Sequence, residues 1–179
     1  MSAHYHVGRT AVAVVFSSVS IGLLALAAWR DLVSRMIPDR LPIALLLLGL
    51  VWRVFSGGVV SAGVSLALAV LLFAGLVALH AAGLLGGGDV KLAAGFAACL
   101  APHVVPEFLT ATGLAGGVLA AAHLLLRLVP RRRALAAPVS GLCRVLRVEH
   151  WRIARHGPLP YGVAIACGGA WVILVGSGG

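Results

Sequence analysis

The sequence predicts an all-α fold, a polytopic bundle of about six transmembrane helices that forms one membrane-embedded domain over residues 1–179. Hydrophobic residues make up 61% of the chain and charged residues only 11%, and the mean hydropathy is +1.06. Apolar runs long enough to cross about 30 Å of hydrocarbon recur along the chain. A water-soluble domain would leave most of this apolar surface exposed, so the composition excludes that class.

Three apolar segments are predicted to cross the membrane in the first half of the chain. Residues 10–29 contain no charged residue, and at about 1.5 Å per residue they are long enough to span the hydrocarbon. The basic residues that follow them favour an uncleaved anchor over a signal peptide. Residues 41–55 form a shorter span that carries Arg53 near its end. A turn at residues 56–58 then leads into a third span over residues 59–82.

Three further spans are predicted in the second half. Residues 90–105 form a short span that Pro102 must end or kink, and residues 108–126 and 159–175 form the fifth and sixth. The basic segment at residues 130–158 is predicted to be a cytoplasmic loop. Within it we expect an interfacial helix whose arginines would meet anionic lipid while its apolar stripe is buried.

The net charge of +9 is interpreted as a topology signal, and no nucleic-acid partner is expected. If all six segments cross, the loops after the first, third and fifth spans share one side of the membrane. These loops, together with the first residues of the fourth span, contain twelve of the fourteen basic residues. The positive-inside rule assigns that side to the cytoplasm and the N-terminus to the outside.

The acidic residues are few: Asp31, Asp39, Asp89, Glu107 and Glu149. Asp31 and Asp89 each stand where a span meets a loop on the predicted cytoplasmic side. Ionisable groups at membrane depth are costly, and their default interpretation is functional, so we interpret these two aspartates as partners. The alternative is that Gly86, Gly87 and Gly88 form a turn and Asp89 caps the following helix.

Two such carboxylates could hydrolyse a peptide bond. At low dielectric they cannot both ionise easily, so one keeps a proton while the other is charged. The charged group can take a proton from a water that attacks the scissile carbonyl, and the protonated group can stabilise the oxyanion and supply the leaving amine. The glycines at 86–88 let an extended peptide backbone approach closely. The three cysteines form no CxxC motif or metal-ligand spacing, so neither a metal nor a cofactor is predicted.

Three motifs together resemble one family. The segment Gly86-Gly87-Gly88-Asp89 matches the G-x-G-D motif of the intramembrane aspartic peptidases. Asp31, followed after five residues by Ile37-Pro38, resembles the first-aspartate motif of the type IV prepilin peptidases. Pro160-Tyr161-Gly162 is similar to the Pro-Tyr-Gly segment that opens their last helix. In span number and motif order the chain most resembles the short form that serves tight-adherence (Flp) pili.

The resemblance implies a peptidase of the bacterial inner membrane that removes the basic leader of prepilins or pseudopilins at the cytoplasmic face. It implies Asp31 and Asp89 as the catalytic pair. Asp39 stands where the family commonly has Asn, so it is an alternative first acid. Long bifunctional members carry paired CxxC motifs associated with N-methylation, so methyltransferase activity is not expected here. Nine residues are expected to bind substrate or shape the site: Gly86, Gly87, Gly88, Lys91, Ile37, Pro38, Pro160, Tyr161 and Gly162.

A second hypothesis comes from a different class of protein. A catalytically silent membrane subunit, or a small transporter, could use Asp31 and Asp89 as ligands for a cation or proton. This hypothesis accounts for two membrane-embedded acids, but it gives no reason for the Ile-Pro and Pro-Tyr-Gly motifs. The expected partners are therefore a prepilin substrate and the lipid bilayer, and the sequence contains no indication of the oligomeric state.

Overall fold

The computed structural model describes residues 2–128 and 159–176, and this part of the chain is helical and contains no strand. The all-α prediction is therefore confirmed for the described residues. The predicted basic loop at 130–158 lies outside them. The helices, in chain order, are α1 (Ser2–Ser34), α2 (Arg40–Ala81), α3 (Gly87–Ala97), α4 (Val105–Leu128) and α5 (Tyr161–Gly176), with a short 3-10 helix, Pro102–Val104, before α4.

Three of the described helical segments are long and apolar enough to cross a membrane: Thr10–Ser34, Arg40–Ala81 and Pro102–Leu125. The apolar stretch Tyr161–Val175 is shorter, and α3 has only 11 residues. These lengths support a membrane protein, whereas the count of six crossings stays a prediction.

Helix α2 is a hairpin with two arms. Its 42 residues would measure about 63 Å as a straight helix, about twice the hydrocarbon thickness. Gly58 interrupts it with φ 78° and ψ 179°, a conformation that glycine tolerates best. Arg53 Nε donates a hydrogen bond to Ser65 Oγ at 3.0 Å. Twelve residues of straight helix would separate these residues by about 18 Å, so residues 59–81 fold back along residues 40–57, and the turn predicted at 56–58 is present.

The helix α3 packs directly on the first arm of α2. A Cβ atom added at Gly95 would lie 2.6 Å from the Pro42 carbonyl oxygen, and one added at Gly49 would lie 2.6 Å from the Cys99 backbone nitrogen. The Cys99 thiol also donates to the Leu45 carbonyl oxygen at 3.2 Å. Glycine lets the two backbones approach in this way, as small residues do in membrane bundles.

The helix α5 packs against both α4 and α1. A Cβ at Gly168 would collide with the backbone and hydroxyl of Thr112 on α4, and a Cβ at Gly169 would lie 2.6 Å from Leu24 on α1. Phe96 of α3 and Phe108 of α4 pack edge to face, with ring centroids 5.1 Å apart. The core thus contains side chains from all five helices: Leu24, Leu45, Leu92, Phe96, Phe108 and Ile165 are each buried. This packing brings the start of α5 beside the end of α1.

The sequence-based boundaries differ from the structure in two places. The first helix continues to Ser34 instead of ending near residue 29, so Asp31 lies in its last turn. The predicted fourth span, residues 90–105, is divided: α3 ends at Ala97, and α4 begins at Val105. The backbone N–H groups of Cys99 and Leu100 bond to carbonyls three residues earlier, so the α-helical pattern is lost before Pro102.

The close contact at Gly95 predicts a loss of stability on adding one methyl group. Gly95→Ala should destabilise the protein by about 1–3 kcal/mol, because the new Cβ meets the Pro42 carbonyl in a packed interface. Gly75→Ala is the matched control, since Gly75 lies on α2 with no atom within 4 Å of an added Cβ. It should be neutral or stabilising by up to about 1 kcal/mol through helix propensity. Thermal unfolding in detergent checks both, and equal midpoints for the two variants would contradict the assigned contact.

Candidate active site

Asp31 lies in the last turn of α1 and is buried, with 7% of its surface exposed. The backbone N–H of Gly162, at the start of α5, donates a hydrogen bond to Asp31 Oδ2 at 3.0 Å. A Cβ at Gly162 would lie 3.0 Å from that same oxygen and from the Asp31 Cβ atom. Glycine at 162 therefore lets the backbone approach the carboxylate closely enough to donate this hydrogen bond.

Asp89 lies in the first turn of α3 and is 8% exposed. The backbone N–H of Gly86, the N-cap residue, hydrogen-bonds to the Asp89 carboxylate. Within the described part of the chain no group hydrogen-bonds to Asp89 Oδ1, so the Gly86 bond goes to Oδ2, which a Cβ at Gly86 would approach to 2.7 Å. A side chain at the third helical position that bonds back to the N-cap N–H forms half of a capping box.

The two aspartates interact electrostatically. Asp89 lies outside the three membrane-spanning segments, and burial raises the pKa of its carboxyl to about 7. The charge of Asp31 raises this pKa further, while the Gly86 hydrogen bond and the charge of Arg35 act in the opposite direction. The structure therefore brings two buried carboxylates, 58 positions apart in the sequence, close enough for each to affect ionisation of the other.

The loop between α1 and α2 covers the glycine-rich turn. Arg35, with φ 55°, follows the end of α1 in the left-handed conformation common at helix C-termini. The Ile37 side chain then packs on Gly88, where an added Cβ would lie 3.2 Å from the Ile37 Cβ. The Pro38 carbonyl accepts the Leu41 N–H at 3.0 Å as α2 begins. The Ile-Pro motif thus connects the two aspartate-bearing segments.

Lys91 and Asp39 form an ion pair away from the buried carboxylates. Lys91 Nζ lies 2.7 Å from Asp39 Oδ1, and the two side chains are 48% and 63% exposed. Of the two candidate first acids, Asp31 is therefore buried beside Asp89, whereas Asp39 is exposed and paired with a lysine. This pair lies at one end of an apolar groove of about 340 Å³ between the two arms of α2 and α3.

The Pro-Tyr-Gly segment lies against Asp31. Pro160 is fully buried, and Tyr161 packs on α4, where a Cβ at Gly116 would lie 2.9 Å from the tyrosine hydroxyl oxygen. These contacts fix the first turn of α5, whose Gly162 N–H meets Asp31. In the described ranges, 2–128 and 159–176, no group of three or more His, Cys, Asp or Glu residues could hold a metal ion.

Two residues near the site, Arg35 and His80, were not among those predicted from the sequence. Arg35 follows Asp31 by four positions, a helical spacing that could have indicated proximity. The side chain of His80, at the end of α2, lies beside Gly87: its Nε2 atom would be 3.6 Å from a Cβ atom added at that glycine. No local pattern indicates the role of His80, because its contact with Gly87 depends on how the chain turns between α2 and α3.

Residues 18–121 match the model of the type IV leader peptidase family. The match covers more than half of the chain, which therefore belongs to this family of the prepilin peptidase type. The matched range includes Asp31 and the Gly86–Asp89 motif and ends before Pro160. The family acts on prepilin-type substrates, and membership supports a leader-peptidase function. No match was found among curated proteins or among solved structures.

Burial of Asp89 predicts a pH-dependent stability. In the unfolded chain its carboxyl loses its proton near pH 4, and in the folded protein it does so near pH 7. The folded state therefore holds the extra proton between these values, and stability falls as the pH rises from about 4 to 7. Asp89→Asn should be more stable than wild type at pH 8, by up to about 4 kcal/mol, and nearly equal to it at pH 4. Thermal unfolding in detergent at both pH values checks this, and a pH-independent difference would contradict it.

Proposed function

We propose that this protein is an aspartic endopeptidase that removes the basic leader peptide of prepilins or pseudopilins at the cytoplasmic membrane face. Asp31 and Asp89 are its catalytic pair. The observation that carries the proposal is the burial of these two interacting carboxylates, each held by a glycine N–H, within a chain of the leader peptidase family. Neither metal nor cofactor takes part in the proposed reaction.

The environments of the two carboxylates favour Asp31 as the general base and Asp89 as the general acid. Asp31 accepts the Gly162 N–H and is assigned as the proton acceptor, whereas the pKa of about 7 keeps a substantial fraction of the Asp89 carboxyl protonated at neutral pH. Asp31 then takes a proton from water as the water oxygen attacks the scissile carbonyl carbon. Asp89 stabilises the oxyanion by donating a hydrogen bond. It then gives its proton to the leaving amine as the C–N bond breaks.

The surrounding motifs shape this site. Gly86 gives Asp89 its hydrogen bond, Gly88 makes room for Ile37, and Gly162 approaches Asp31. The other predicted residues support this arrangement. The backbone around the two aspartates is positioned by Gly87, Pro38, Pro160 and Tyr161. Lys91, paired with Asp39, borders the apolar groove. An extended peptide would bind along the glycine-rich turn, where backbone groups are accessible.

The proposed topology has six crossings in the bacterial inner membrane, with the N-terminus outside and both aspartates at the cytoplasmic face. As a straight helix, α2 would be about twice too long for a single crossing, and its hairpin shape supports two crossings instead. The distribution of basic residues supports the orientation. Family membership favours this peptidase over the alternative of a silent subunit or transporter, which gives no reason for a leader-peptidase match.

Leader cleavage should require both buried aspartates. In cells that co-express a prepilin from the same locus, Asp31→Asn and Asp89→Asn should each reduce processing by about 10²-fold or more, because each removes a proton donor or acceptor. Asp39→Asn is the matched control and should stay within about fivefold of wild type, since an exposed ion pair contributes little. The pilin size shift on a gel reports all three. Loss of processing in Asp39→Asn alone would transfer the role of first acid to Asp39.

The Gly162 contact predicts a second effect on processing. Gly162→Ala places a methyl group 3.0 Å from Asp31 Oδ2 and should lower kcat about tenfold or more, because small displacements of a catalytic group slow the reaction strongly. Gly117→Ala, on α4 with no atom within 4 Å of an added Cβ, should keep normal processing. Purified, folded variants assayed on a prepilin peptide provide the comparison. Equal rates for the two variants would contradict the expected effect of the Gly162–Asp31 contact on kcat.

A further inference from the structure

The segment between α2 and α3 has a fixed conformation. The Ala82 N–H bonds to the Ala78 carbonyl, the Gly83 N–H to His80, and the Leu84 N–H to Leu79. Gly83 has φ 75°, the left-handed conformation that commonly ends helices. This turn leads the chain back past the His80 side chain, where the ring Nδ1 lies 2.8 Å from the Leu85 carbonyl oxygen.

The Leu85 carbonyl and the Gly86 N–H belong to one peptide group. That group is planar and trans, so its C=O and N–H point in opposite directions. His80 Nδ1 carries a hydrogen and donates it to the carbonyl oxygen, since that oxygen can only accept. On the other side of the same plane, the Gly86 N–H donates to Asp89. Fixing one end of the peptide group therefore fixes the direction of the other.

We propose that His80 is a positioning residue for Asp89, which acts through the peptide group between Leu85 and Gly86. His80 orients this group so that its N–H is directed at Asp89 Oδ2, and its own hydrogen bond polarises the group and strengthens that donor. Asp89 Oδ1 is then left for the shared proton or for water. The proposal rests on the proposed function in treating Asp89 as catalytic, although the hydrogen bonds themselves do not depend on it.

The environment of His80 fits an indirect role. The ring is exposed, and its Nε2 and Cε1 atoms face Gly87. The charged groups that affect Asp89 are Asp31 from α1 and Arg35 from the following loop. On its own helix, Lys91 is paired with Asp39. His80 lies at the end of α2 beside this turn, and its contact with the peptide group is a hydrogen bond.

The test replaces the donor and then restores it. His80→Leu removes the hydrogen bond, and His80→Asn restores a donor, because the Asn amide nitrogen stands two bonds beyond Cβ, as Nδ1 does in histidine. His103→Leu is the matched control, since His103 is an exposed histidine in the 3-10 helix beyond the far end of α3. His80→Ala is a second donor-deficient variant in case leucine at 80 prevents folding.

The first measurement is the titration of Asp89 itself, followed by the infrared absorption of its protonated carboxyl and identified by difference from Asp89→Asn. A weakened donor favours the protonated form. His80→Leu and His80→Ala should therefore raise the midpoint by about half a pH unit or more. His80→Asn and His103→Leu should keep the wild-type midpoint. A wild-type midpoint in the folded Leu and Ala variants overturns the proposal, and so does a raised midpoint in His80→Asn.

The second measurement is cleavage of a prepilin peptide as a function of pH. His80→Leu should reduce kcat about tenfold with little change in KM, its pH profile should move upward with the Asp89 midpoint, and His80→Asn should recover most of the rate. The two readouts separate the two proposals. If the Leu and Ala variants shift the Asp89 midpoint but the wild-type protein cleaves no prepilin, the peptidase function is overturned and the His80 role stands. If the wild-type protein cleaves prepilin and these variants leave the midpoint unshifted, the His80 role is overturned and the peptidase function stands.

Discussion

The burial of two neighbouring carboxylates is the constraint on which the rest of this structure depends. A buried charge is strongly unfavourable unless hydrogen bonds or opposite charges offset it. Here part of the compensation comes from the backbone: Gly162 donates to Asp31, and Gly86 donates to Asp89. One oxygen of each carboxylate is thereby fixed. The architecture must therefore bring the end of α1, the start of α3 and the start of α5 to one point.

Small residues at the helix contacts make this convergence feasible. The α3 backbone reaches α2 at Gly95, the segment just after α3 reaches it at Gly49, and α5 reaches α4 at Gly168. Apolar side chains gain little by association in lipid, so close backbone packing and interhelical hydrogen bonds must hold a membrane bundle together. The Arg53–Ser65 bond, which continues from Ser65 Oγ to the Leu100 carbonyl, connects both α2 arms to the chain after α3. The contacts that stabilise the bundle are thus also those that align the site.

Much of the fold could be predicted from hydrophobic runs and turn residues. The turn at 56–58 is such a case, because glycine allows the conformation that breaks α2 there. Helix ends were harder to predict. The α1 helix continues through Arg30 and Asp31, since a polar residue can stay helical where tertiary partners such as Gly162 satisfy it. The α3 helix ends at Ala97, well before Pro102, and the Leu100 carbonyl beyond it accepts a hydrogen bond from Ser65 of another helix, a partner that no local pattern indicates.

The candidate site was predictable in its motifs but not in its connections. The sequence marks Asp31, Asp89 and the glycines, because acids and triple glycines are rare in apolar chains. The ion pair between Lys91 and Asp39 joins residues 52 positions apart, and the hydrogen bond of His80 depends on a five-residue turn. Such contacts follow from three-dimensional packing. Periodicity reports which face of a helix is apolar, and it contains no information on which neighbour that face meets.

The burial of α3 has a consequence for the lipid surroundings of the protein. From Leu92 to its end at Ala97 every residue of this helix is buried, so beyond Lys91 neighbouring helices, not acyl chains, surround it. Its short length therefore causes no hydrophobic mismatch, which arises only where a helix meets lipid. The depth of Asp89 is consequently set by the protein itself, and it should stay constant when the bilayer thickens or thins with temperature or growth phase.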